Sequence, residues 1–114
     1  MTPEAEYRTN LAGGKFRPTD AQQITLSLEP GTPLRLEREP TNPYDPNAIK
    51  VNDVDGVHLG YVPKNVAVHL APWMDSGWDF ACRSAGHMSP LMPFLVIEPI
   101  GDSETLEAQA DEAE

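Results

Sequence analysis

A chain of 114 residues, 39% hydrophobic and 23% charged, is sized for one domain and holds no apolar run near the roughly 20 residues that cross a bilayer, which excludes a membrane partner. A single cysteine, Cys82, excludes an internal disulfide, and the absence of a charged-then-apolar leader makes a reducing cytoplasm the expected compartment. The net charge of −10 excludes a broadly basic surface, but 8 of the 18 acidic residues lie at 4–6 or from 102 onward, and residues 7–101 carry 8 basic against 10 acidic side chains, so a local basic patch stays open.

Residues 1–10 are polar without a usable period and are expected to form a flexible leader. From 11 to 101, the expected domain, turn residues recur at short intervals, and 12 prolines with 8 glycines favour short strands over long helices. PLRLERE (33–39) alternates, with Leu34 and Leu36 on one face and Arg35, Glu37 and Glu39 on the other, as a half-buried strand does. In Thr41–Asn47, Pro43 and Pro46 push Asn42 and Asp45 into extended geometry, which predicts a rigid, kinked ledge. AIKV (48–51) reads as the next strand, and Asp55-Gly56 predicts a hairpin into VHLGYV. Pro63 suits the first turn of a helix, and Val66, Leu70 and Met74 stand four apart, so a short helix is expected from 63 to 71 with an extension to 76 opposed by Pro72. WDFACRSAG (78–86) alternates again, and PFLVIEPI (93–100) is a final apolar strand. Residues 102–114 are acidic with one leucine and no aromatic, the composition of a disordered tail. The order β, β, β, β, α, β, β predicts a mainly β fold, a small barrel of the oligonucleotide-binding type with about six strands and one or two short helices.

Chemistry concentrates in few places. Tyr44, between two prolines in a polar loop, is placed either to stack on a base or sugar or to fold back on its own turn. Asp45 and Asn47 are side-chain caps for backbone amides, and Asp45 is also placed to accept a hydrogen bond from a sugar hydroxyl. Lys15, Arg17, Lys50 and Lys64 are isolated cations that become phosphate contacts only by converging in space. The run NDVDG lacks the ligand spacing of a calcium loop, with Val51 and Val62 at two of the needed positions. His58, His69 and His87 lack partners at metal spacing, and Cys82 sits in an apolar alternation as a small hydrophobe. No nucleophile, phosphate-cradling loop or paired carboxylates argue for catalysis or a cofactor.

The run EPTNPYDPNAIKV, followed by DG and LGYVPK, resembles the HIRAN domain, a family found at the amino terminus of Swi/Snf-type ATPases and as a stand-alone small protein in bacteria and phages. The resemblance covers about residues 11–100 and implies an oligonucleotide-binding-like barrel that captures the free 3′ end of single-stranded DNA. It implies that Tyr44 stacks on the terminal base and that Asp45 bonds the 3′ hydroxyl. Asn42 matches the block's asparagine, Lys15 and Phe16 match the basic residue and second stacking aromatic after the first strand, and Lys64 matches a phosphate-binding lysine. Tyr61 stands where the family has a histidine, and His87 corresponds to an aromatic that closes the pocket. The function expected is thus a non-catalytic, monomeric binding module for single-stranded DNA in repair or replication, alongside a helicase or nuclease that supplies the chemistry. The acidity favours the alternative, a protein-interaction adaptor that keeps the shape with lost or weakened DNA binding.

Overall fold

Alternating burial along PLRLER and WDFACR builds the centre of one antiparallel sheet. The computed structural model describes residues 2–102; the expected tail lies outside the described residues, apart from Asp102. Six strands, β1 (Tyr7–Asn10), β2 (Pro33–Arg38), β3 (Ile49–Asn52), β4 (His58–Tyr61), β5 (Trp78–Ser89) and β6 (Met92–Asp102), lie in the order β1-β6-β5-β2-β3-β4, with helices α1 (Thr19–Leu26) and α2 (Lys64–Asp75) packed against them. This is the mainly β, oligonucleotide-binding-like fold expected, with six strands and two helices, its sheet curled as a half-barrel.

Two segments differ from expectation. The expected leader is a strand from Tyr7, paired with β6 from Tyr7↔Ile97 to Asn10↔Phe94, and the Tyr7 ring packs edge-on to Phe80 at 6.3 Å. Its polar outer positions conceal it in the sequence, because half of a barrel strand faces water. The sequence also gives no warning of α1, which begins after Pro18 with Asp20 in its first turn and buries Ala21 and Thr25, four residues apart. The predicted helix is α2, which runs through Pro72 to Asp75. Proline removes a single backbone donor there, while Ala67, Leu70 and Ala71 stay buried and Val66 and Met74 pack beside them, so core contact outweighs the lost bond.

The sheet would end at β1 and β4 if nothing joined them. Just past β1, the Ala12 N–H donates to the Tyr61 carbonyl at 2.8 Å and the Tyr61 N–H donates back to the Ala12 carbonyl at 2.8 Å. Leu11, only 1% exposed, enters the core at the same point with Leu59, Leu70, Leu95 and Ile97. This approach requires Gly60: a Cβ there would stand 2.5 Å from the Ala12 carbonyl oxygen and 2.8 Å from the Leu11 side chain. Cys82 is the small buried hydrophobe expected, 4% exposed, its thiol pushed up to about 12 by burial.

Gly60→Ala should therefore cost about 1–3 kcal/mol by forcing Leu11 and Ala12 outward. Urea melts check this, and an unchanged midpoint would contradict the closure argument.

Candidate functional site

The connection from β2 to β3 is a ledge whose backbone donors are all accounted for. Pro43 and Pro46 have no N–H, and every other amide from Asn42 to Ala48 is satisfied locally. The Asn42 N–H donates to the Glu39 carbonyl at 3.1 Å, and the Ala48 N–H to the Asp45 carbonyl at 3.1 Å. The Asn42 side-chain oxygen accepts from the Tyr44 and Asp45 amides at 2.8 and 3.1 Å, and Asp45 Oδ1 accepts from the Asn47 amide at 2.9 Å. Asp45 is thus a cap, as expected, but Asn47 is capped rather than capping, and the second capping side chain is Asn42. With its own backbone held, Tyr44 points outward at 87% exposed and does not fold back on its turn.

Two neighbouring residues at the end of β2 grip this ledge. Arg38 donates to the carbonyls of Pro46 and Ala48 at 2.9 and 2.7 Å and makes a two-pronged pair with Asp75 at the end of α2, at 2.9 and 3.1 Å. Asn42 Nδ2 and the Tyr61 hydroxyl both donate to Glu39 Oε1, at 2.5 and 2.9 Å, while Lys50 Nζ lies 3.1 Å from Oε2. Donation from Asn42 first, then from Tyr61 and Lys50, holds the Glu39 carboxyl below its ordinary range. Burial first and Glu39 second raise the Tyr61 phenol. Sequence reasoning missed both grips, because their partners lie up to 37 residues away; the only local signal was their position at the root of a proline-stiffened loop.

Five predicted site residues, Asn42, Tyr44, Asp45, Tyr61 and Lys64, line one hollow of about 240 Å³ together with Gly13 and Pro63. Lys15 lines the adjoining hollow, which shares Ala12, Gly13 and Pro63 with the first and is walled by Leu91. The 3-10 turn Gly14–Phe16 lies close against that wall, since a Cβ on Gly14 would stand 2.7 Å from the Leu91 carbonyl oxygen. On this turn Phe16 is 77% exposed and lines neither hollow, with Lys15 Nζ 5.1 Å from its ring centre. His87 is not brought in: its Nε2 lies 2.9 Å from the Thr25 carbonyl of α1, and it lines neither hollow. Tyr61 joins the wall with its hydroxyl already committed to Glu39.

Charge is partitioned as well. Arg8, Arg38, Lys50 and Arg83 pair with Glu6, Asp75, Glu39 and Glu98. Lys15, Arg17, Arg35 and Lys64 have no carboxylate partner among the described residues, and Lys15 and Lys64 are the two at the hollows. No group of described side chains is placed to hold a metal ion, and no described helix is long and apolar enough to cross a membrane.

Residues 5–97 match the HIRAN domain family profile. A segment of 43 residues, 38% of the chain, is 58% identical to helicase-like transcription factor of Oryctolagus cuniculus and spans 4% of that protein's length. The crystal structure of the HIRAN domain of human HLTF is similar with a TM-score of 0.70 at 26% identity, covering 94% of this chain and 84% of that one. The NMR structure of the HLTF HIRAN domain in its DNA-bound conformation is similar with a TM-score of 0.63 at 27% identity over the same shares, 94% and 84%.

Because its folded-state pKa is depressed, Glu39 contributes stability above the ordinary value of 4.5 and loses it as pH falls through the lowered one. Carboxyl 13C titration should give Glu39 a midpoint below 4.5, with the Tyr44 and Asp45 amides moving in the same step. A midpoint at or above 4.5 would contradict the hydrogen-bonding scheme.

Proposed function

This chain belongs to the HIRAN domain family, and from that membership we propose that it is a non-catalytic module that binds single-stranded DNA at its free 3′ end, in DNA repair or replication. The observation that carries the reading is one hollow lined by an outward aromatic on a rigid ledge, a carboxylate and a lysine at the start of a helix. The DNA-bound conformation of the HLTF HIRAN domain supports it at the level of the fold and the ligand class.

In this reading Tyr44 stacks on the terminal base, and Phe16 on the turn that follows β1 provides the second platform. Stacking contributes about 1–3 kcal/mol per base. Asp45 keeps Oδ1 on the Asn47 amide and offers Oδ2 to the 3′ hydroxyl. A 3′ phosphate would bring an anion against that carboxylate and be rejected. Lys64 stands at the first position of α2, where free backbone N–H groups also favour an anion, so it holds a phosphate; Lys15 holds another. Asn42 and Tyr61 act by shaping the ledge and the wall, and His87 is left out because its ring is bonded to α1. The module works as a monomer in the cytoplasm without a cofactor, and a helicase or nuclease partner supplies the chemistry.

Fluorescence anisotropy tests this directly. An oligonucleotide with a 3′ hydroxyl should bind more tightly than its 3′-phosphorylated twin, and Asp45→Asn should erase that preference. Tyr44→Ala should weaken binding by about 1–3 kcal/mol. With two or three phosphates held, the salt slope should be shallow, about −0.7 per phosphate. Equal binding of both oligonucleotides by the unmodified chain, or none at millimolar protein, would overturn the reading.

A further inference from the structure

Glu39 lies outside the hollow yet touches both of its sides. Its Oε1 accepts from Asn42 Nδ2 and from the Tyr61 hydroxyl, and the oxygen at the other end of the Asn42 amide holds the backbone N–H groups of Tyr44 and Asp45. Tyr61, in turn, is bonded through its backbone to Ala12, the residue before the Gly13–Phe16 segment. An unbroken polar relay therefore runs from the wall at Tyr61, through Glu39 and Asn42, to the two ledge residues that would meet a ligand. We propose that Glu39 is a positioning residue: it sets where Tyr44 and Asp45 stand relative to Tyr61 and the turn beyond it, and so sets the ligand fit of the groove.

The chemistry demands a carboxylate at this position. Three donors surround it, the Asn42 amide, the Tyr61 hydroxyl and, on Oε2, the Lys50 ammonium. An ionised carboxylate accepts at both oxygens and satisfies all three, whereas a glutamine side chain must turn its NH2 toward at least one of them. If its oxygen keeps Asn42 and Tyr61, that NH2 faces Lys50; if it turns around, the relay breaks. Lys50 is therefore the clasp that anchors the carboxylate at Oε2 while Oε1 serves the relay. The converse follows: in a Glu39→Gln chain, replacing Lys50 by glutamine as well supplies an acceptor opposite the new amide and lets the relay re-form without charge.

Two measurements on the full chain test this, and the first needs no ligand. Tyr61→Phe removes a single hydroxyl that neither Tyr44 nor Asp45 touches, yet it should move the amide signals of both; unmoved signals would overturn the relay. The second is anisotropy with a 3′-hydroxyl oligonucleotide and depends on the proposed DNA binding. Glu39→Gln should bind about tenfold or more weakly, the scale of losing hydrogen bonds to a charged group, and adding Lys50→Gln should restore most of the loss. A loss that the second substitution leaves untouched in a chain of unchanged amide dispersion, or no loss at all, would overturn the positioning role. If the unmodified chain binds no oligonucleotide, the binding reading fails, and the Tyr61→Phe amide signals alone decide the relay.

Discussion

Two hydrogen bonds between Ala12 and Tyr61 hold together the ends of a sheet that would otherwise be open at β1 and β4. They exist because residue 60 has no side chain, so the backbone after β1 can lie directly on β4 and drive Leu11 into the core. The consequence is functional as well as structural. The same closure carries Gly13 and Lys15, from the start of the chain, to hollows that meet Tyr61, Pro63 and Lys64 from its middle, with Phe16 exposed on the turn beside them. An open sheet would leave the ledge tyrosine and the turn phenylalanine on unrelated surfaces.

The ledge meets this groove as a rigid body because its backbone donors need nothing from solvent. Two prolines remove donors, Asn42 and Asp45 satisfy those left, and Arg38 and Glu39 clamp the two ends to α2 and β4. Freezing a loop before a ligand arrives removes an entropic cost from binding. It also leaves Tyr44 exposed and uncovered among the described residues, a costly arrangement for a structural aromatic and a useful one for a stacking platform. The charges follow the same logic: in a chain of net charge −10, pairing among the described residues consumes half of the 8 basic side chains, and the lysines without a carboxylate partner there are those beside the hollows.

How much of this was legible in the sequence depended on the range of the force involved. Local chemistry was readable: the alternation of β2 and β5, the Asp-Gly hairpin, the stiff ledge and the start of α2 at Pro63. Of the residues the resemblance singles out, Tyr44, Asp45 and Lys64 line one hollow and Lys15 the next, while Phe16 lines neither. Long-range bonding was not readable. The polar stretch at Tyr7–Asn10 becomes a strand only because β6 and Ile97 lie beside it, and Glu39, seen as one of three outward charges, becomes a hub only when β3 and β4 bring Lys50 and Tyr61 to it. Residue type points to Asn47 as a cap, and the bend of the loop gives that role to Asn42 instead. His87 enters the expected site only through the resemblance, and α1, which the sequence does not announce, takes its ring.

The central claim is that barrel closure makes the ledge and the turn after β1 a single site. Titrating the 15N-labelled chain with an oligonucleotide bearing a free 3′ hydroxyl tests it most directly. The account predicts that amide shifts appear together, at the same ligand concentrations, on residues 13–17, 42–47 and 61–64. Shifts confined to one of these segments, or scattered over the β5–β6 hairpin at Met88 and Phe94, would contradict it.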